Sequence, residues 1–246
     1  MTKRRILKIT GPDARDFLQG LITNDVERLT EGLVYAALLT PQGKYIADFF
    51  LVPAEEGILL DVAESLGDML SQRLTMYKLR ANVTIETAPL HLHRGVEDMP
   101  EDGFADPRHP ALGWRAYRET PQEDDSIDWT ALRVAHLIPE TGVELTPDTF
   151  ILEVGFERLS GVDFRKGCYV GQEVTARMKH KTDLRKGLAQ VSVSGPAEVG
   201  TEILSNGKVA GTLLSRSADR GLAYLRYDRA VGDMAAGDAT VTRTDA

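Results

Sequence analysis

Short apolar runs separated by turn residues mark out the first ninety or so positions. "ILKI" (Ile6–Ile9) reads as a strand. "GPDARDFLQGL" then sets Ala14, Phe17, Leu18 and Leu21 on one face at helical spacing. Pro12 suits a first helical turn, and Asp13 and Asp16 favour the positive end of the helix dipole. "YAALLT" and "KYIADFFLV" flank "PQG" as a hairpin, and "GILLDV" is a further strand. "ESLGDMLSQRLTMYKL" places Leu66, Leu70 and Leu74 on one helical stripe, and "VTIETA" closes the unit as a strand. The predicted order is β-α-β-β-β-α-β, an α+β sandwich with helices on one sheet face.

Residues 94–127 change character. "RGVEDMPEDGFADPRHP" and "ETPQEDDS" read as loops around a short ordered "ALGWRAY". Asp128 is placed to cap a helix through "WTALRVAHLI", and 139–182 reads as irregular. From Gly187 short strands recur: "GLAQVSVS", "TEILS", "KVAGTLLS", "GLAYLRY" and "ATVTRT". "SNGK" at 205–208 is a two-residue hairpin signal. The pattern predicts an antiparallel β-barrel over 184–246, after an α+β region over 1–183 with a subdomain boundary near 90–127.

Composition leaves that picture in place and narrows the chemistry. The chain has 246 residues, 42% hydrophobic and 27% charged, which is ordinary globular composition. Its net charge of −8 argues against sequence-blind nucleic-acid binding, which needs cationic surface. The single cysteine, Cys168, excludes an internal disulfide and a four-cysteine zinc site. It points to a reducing compartment, and a cytoplasmic location is expected. "MTKRRILKITGPDARDF" lacks the apolar run of a signal peptide, and no stretch of the sequence is apolar for long enough to span a membrane.

Nucleotide cradles of the GxGxxG and GxxxxGK[ST] types are absent. His91 and His93 share one strand face, but a metal site needs a third placed ligand. No metal is therefore expected. "FRKGCYVGQEVTAR" (Phe164–Arg177) holds Cys168 between Gly167 and Gly171. Two readings of the thiol stand side by side. It is a small buried hydrophobe, or a reactive group whose thiolate is favoured by Lys166 and nearby backbone N–H groups. "RMKHKTDLRK" (Arg177–Lys186) reverses the sign of the chain locally, either as a solvated basic loop or as a landing place for a polyanionic tail.

"KGCYVGQE" (Lys166–Glu173) and "ITGPDARDFLQGLITNDV" (Ile9–Val26) resemble the YgfZ group of folate-binding proteins. That group is related to the glycine-cleavage T-protein, an aminomethyltransferase, and includes a mitochondrial iron–sulfur assembly factor. "LTPQGKYIADFFL", "ADPRHPALGWR" and the stretch Ile138–Glu173 resemble their counterparts too, so the likeness runs along nearly the whole chain. It implies folate-binding domains around a central cavity with a C-terminal β-barrel, and tetrahydrofolate or a one-carbon derivative as ligand. "IADFF" matches the T-protein segment whose aspartate lies near the reactive folate nitrogens, which makes Asp48 the carried-over candidate.

Phe49 and Leu51 are then expected to line the pterin slot. Lys166, Tyr169, Gln172 and Glu173 are expected to contribute from the motif, with Lys44 and Arg177 or Lys179 toward the glutamate tail. Cys168 is the expected reacting group. The T-protein "GYTGEDGFE"-like stretch is missing, which counts against ordinary aminomethyl transfer. The implied role is maintenance or assembly of iron–sulfur proteins, including radical enzymes that modify tRNA. Iron–sulfur proteins or their assembly machinery are the expected partners, with no direct nucleic-acid contact. The alternative is a folate-dependent one-carbon transferase on an unknown acceptor.

Overall fold

A computed structural model of the chain describes residues 3–123, 126–181 and 184–244. The first seven elements are β1 (Arg4–Thr10), α1 (Ala14–Gln19), β2 (Val34–Leu39), β3 (Tyr45–Pro53), β4 (Ile58–Ala63), α2 (Glu64–Lys78) and β5 (Thr84–Thr87). This is the order that the apolar pattern predicts. The five strands form one antiparallel sheet in the order β2-β3-β4-β1-β5. Its helix-side face buries Val34, Ala36, Leu38, Ala47, Phe49, Leu51, Leu60 and Val62 with Leu18, Leu70 and Leu74. These strand residues lie at every second position, as a pleated strand requires.

The opposite face carries charge. Asp61 of β4 is fully buried and accepts from Arg4 Nε (2.6 Å) and from Arg115 (2.5 Å) and Tyr117 (2.9 Å). Arg115 and Tyr117 belong to a second sheet of β6 (His91–Gly95), β7 (Phe104–Ala105) and β8 (Trp114–Arg118), in the order β6-β8-β7. The region 94–127 is thus a small sheet as well as loops. Its strands are short and separated by connections containing Pro and Gly, so the pattern hides β7.

The chain divides into two compact units, Met1–Ser126 with Phe156–Ala176, and Ile127–Gly155 with Arg177–Ala246. This cut differs from one at 183/184 because residues 127–155 join the barrel unit. There α3 (Trp129–Ala135) begins at Asp128, whose carboxylate accepts the Ala131 N–H as a cap. Leu137, at φ 55°, lies beyond its end, so the helix is shorter than "WTALRVAHLI" suggests. Arg133 of α3 donates to Ser215 Oγ, and Glu144 accepts from both.

A helix, α4 (Gln172–Lys181), lies in the stretch read as irregular. Its apolar residues are few (Val174 and Met178 among charged neighbours), so the helical stripe is too thin to stand out. Six further strands, β9 (Lys186–Ser194), β10 (Glu202–Ser205), β11 (Lys208–Ser217), β12 (Arg220–Arg226), β13 (Asp233–Ala236) and β14 (Ala239–Arg243), close into a barrel in the order β10-β11-β12-β9-β14-β13. Asn206 and Gly207 both take positive φ at the "SNGK" turn, as a type I′ hairpin demands. The antiparallel α+β fold with a C-terminal barrel is the one expected.

Candidate functional site

Asp48 is buried on the charged face of the first sheet, opposite the helices. Tyr35 Oη donates to its Oδ2 (3.0 Å) and Tyr45 Oη to its Oδ1 (2.7 Å). Tyr35 comes from the facing strand, since Asp48 pairs with its neighbour Ala37. Tyr45 reaches the same face through an irregularity. Leu38 pairs with Ala47 but Leu39 pairs with Tyr45, so Ile46 is an extra residue in β3. The bulge sends Ile46 to the helix-side core and turns Tyr45 toward Asp48. Burial, and then the charge of Asp48, holds the Tyr35 hydroxyl well above its ordinary pKa, so it remains a donor.

The same face is aromatic and cationic. Tyr35 stacks tilted on Phe50 (5.1 Å) and Phe156 (5.0 Å). The Arg108 guanidinium lies over Tyr35 (5.4 Å) and Phe50 (4.8 Å), and Arg115 lies 4.0 Å from the Phe50 ring centre. Asp106 pairs with Arg108 at 2.7 Å. Burial alone would raise the Asp106 carboxyl, but Arg108 and Arg115 outweigh it and hold the group below the usual carboxylate range.

Phe49 does not share this face. It is fully buried in the helix-side core with Leu51, because adjacent strand residues point to opposite sides. The expected pterin-slot role therefore fails for Phe49 and Leu51. Phe50 is the aromatic beside Asp48, and strict alternation applied to "IADFF" identifies it. Tyr35 and Arg108 carry no local signal, and Tyr45 is hidden by the bulge.

The second cluster is the cysteine loop. Cys168 is exposed, which removes the buried-filler reading. Lys166 is buried, and its Nζ donates to the carbonyl oxygens of Gln19 (2.8 Å), Ile22 (2.7 Å) and Asn24 (2.9 Å). Burial pushes the ammonium down to about 8, against Asp25 and Asp163, which raise it. With its donors turned to backbone oxygens, Lys166 is committed to the fold, in place of the ligand contact and thiolate support expected of it. Tyr169 is buried, with Lys166 Nζ 5.2 Å from its ring centre, and burial pushes its hydroxyl up to about 12.

Gly171 sits at φ 84°, where a Cβ would lie 2.6 Å from the Thr40 oxygen. Gly43 meets Val174 in the same way, at 2.8 Å. The hairpin turn before Lys44 and the start of α4 therefore interlock. That brings half-buried Lys44 into the neighbourhood of Gln172 and Glu173, of which Gln172 is half-buried and Glu173 exposed. Arg177 is exposed further along α4 and falls in the other compact unit.

His93 Nε2 donates to the Thr120 carbonyl (2.7 Å). Among the described residues no group of three or more His, Cys, Asp or Glu is arranged to hold a metal. Nor, among them, is any helix long and apolar enough to cross a membrane.

Residues 185–245 match the CAF17 C-terminal beta-barrel domain. The iron-sulfur cluster assembly factor IBA57, mitochondrial, of Mus musculus is 29% identical over 94% of this chain and 78% of its own length. The IBA57 homolog, mitochondrial, of Phaeosphaeria nodorum is 33% identical over 76% of this chain, which spans only 53% of that longer relative. The glycine cleavage system aminomethyltransferase T from Bartonella henselae superposes with a TM-score of 0.77, covering 100% of this chain and 83% of that one. At 14% identity this likeness concerns the fold alone. The expected cytoplasmic location is overturned, because these relatives are mitochondrial proteins. A lone reduced cysteine speaks to redox environment and does not separate one reducing compartment from another. The chain is a homologue of the IBA57 iron–sulfur cluster assembly factors, built on the T-protein fold with a CAF17-type barrel.

Proposed function

We propose that the protein is an accessory factor in iron–sulfur cluster assembly or maintenance, working through Cys168, with a reduced folate held near Asp48. The observation that carries this reading is the exposed thiol of the "KGCYVGQE" motif in a homologue of iron–sulfur assembly factors. Iron–sulfur proteins or their assembly machinery are the proposed partners. tRNA-modifying radical enzymes would benefit indirectly as clients. One cysteine cannot hold a cluster alone, since clusters usually take four ligands. Cys168 therefore acts on cluster, iron or persulfide transiently, or together with ligands from a partner.

The residues present suit a reduced folate in their donor chemistry. An ionised carboxylate is acceptor-only and matches the N–H groups of a reduced pterin. Asp48 would take that edge, with Tyr169, Gln172 and Glu173 contributing from the motif. Lys44 would supply a cation for the glutamate tail. When bound, the folate supplies one-carbon chemistry. The T-protein fold with its buried carboxylate favours a second reading, a one-carbon transferase on an unidentified acceptor.

Complementation tests the first reading. A null strain carrying Cys168→Ala should show the low iron–sulfur enzyme activity of the null, and full rescue would reject the role of the thiol. Calorimetry with tetrahydrofolate tests the ligand: no heat at millimolar concentration with folded protein would remove it. Turnover of methylene-tetrahydrofolate with candidate acceptors would favour the transferase.

A further inference from the structure

Both ends of the cysteine loop are tied down, and its middle is open. At the front, Asp163 Oδ1 accepts the N–H groups of Arg165 (2.6 Å) and Lys166 (3.2 Å). The Lys166 ammonium then binds the three carbonyl oxygens of Gln19, Ile22 and Asn24. An ammonium has three donors, so each is used. The segment receiving them is itself fixed to the edge of β2. Thr23 donates its N–H to the Ala37 oxygen (3.0 Å) and accepts the Ala37 N–H (2.8 Å), and Asn24 Nδ2 donates to the Tyr35 oxygen (2.7 Å). At the back, Tyr169 is buried and Gly171 is wedged against Thr40. Between these anchors Gly167 and Cys168 are exposed, and a Cβ on Gly167 would meet nothing within 4 Å.

A buried ammonium is costly unless fully hydrogen-bonded, and an apolar side chain of similar length would fill the same space without that cost. What the ammonium adds is direction. Three charge-assisted hydrogen bonds to one segment fix the loop against sliding as well as lifting. We propose that Lys166 is a positioning residue for Cys168, clamping the front of the loop to the carbonyls of Gln19, Ile22 and Asn24 so that the thiol is displayed at one fixed place. The inference rests on the reading of Cys168 as the reacting group. It moves Lys166 from ligand contact to geometry.

The sole cysteine allows a direct test. A nitroxide attached to Cys168 reports the motion of the loop without further engineering. In the wild-type protein its spectrum should be restricted. In Lys166→Met it should shift to nanosecond loop motion, and Lys166→Arg, which keeps a cation with several donors, should recover part of the restriction. In the null strain Lys166→Met should fail to restore iron–sulfur enzyme activity although its unlabelled thiol still alkylates, and Lys166→Arg should restore part of it.

An unchanged spectrum in folded Lys166→Met would overturn the clamp. So would full complementation by Lys166→Met where Cys168→Ala fails, and that result leaves the functional reading intact. Complementation by Cys168→Ala would instead sink the functional reading, whatever the label shows. Should Lys166→Met not fold, Asp163→Ala removes the acceptor of two backbone N–H groups at the same end of the loop. It should mobilise the label in the same direction, and an unchanged spectrum there would equally count against the clamp.

Discussion

Two hydroxyls hold Asp48 in a buried site, and each can be removed singly. Tyr45→Phe keeps the ring and deletes one donor, leaving the carboxylate less satisfied. A loss of about 1–3 kcal/mol in stability is expected, read by urea unfolding. Asp61 offers a pH-dependent counterpart. Burial alone would raise its carboxyl, but Arg4 and Arg115 outweigh that and hold it below its ordinary 3.8. A carboxyl depressed in the folded state gives stability that is complete above 3.8 and lost as pH falls through the lower folded value. Asp61→Asn should cost roughly 3–5 kcal/mol at neutral pH by stranding buried guanidinium charge. The gap between the two proteins should narrow as the pH drops below 3.8 and stay constant above pH 6 or so. A gap independent of pH would refute the ion-pair account.

Elements were legible where periodicity is strong and hidden where it is broken. Leu66, Leu70 and Leu74 announce α2, and the turn residues Asn206 and Gly207 announce a hairpin. β3 is legible as a strand, but a pterin slot of Phe49 and Leu51 beside Asp48 ignores alternation, which alone tells the two aromatics of "DFF" apart. The bulge at Ile46 then removes the alternation that would have revealed Tyr45. α4 was invisible because charged residues dominate it. The place of Lys166 is not legible, because sequence shows a cation beside a thiol and cannot show three distant carbonyls. The two glycines of the motif differ in the same way. Gly171→Ala meets a positive φ and a backbone oxygen, and about 1–3 kcal/mol of destabilisation is expected. Gly167→Ala meets open space, and its unfolding free energy in urea should change by no more than the roughly 0.5 kcal/mol typical of surface changes. Equal effects at both positions would contradict the interlocked turn.

For the molecule as a whole, the barrel unit includes chain that precedes it by many residues. Arg133 and Glu144 satisfy Ser215, and Gln190 Nε2 donates to the carbonyls of Val134 and Ala135. A fragment of 184–246 alone lacks all of these partners. Its circular-dichroism melt should fall well below that of a fragment in which 127–155 is fused to the barrel, by several degrees for each lost kcal/mol in so small a unit. Matching melts would show the barrel to be self-sufficient.

Cys168 stands exposed as the sole sulfhydryl of the chain. Should an oxidant convert it to a sulfenic acid, no second thiol exists on the same molecule to resolve it. Condensation to a disulfide must then take a thiol from elsewhere, releasing water and joining two molecules. Recovery from oxidative damage thereby becomes a bimolecular event. Its rate depends on how much of a foreign thiol is at hand, and the fold itself offers no shortcut.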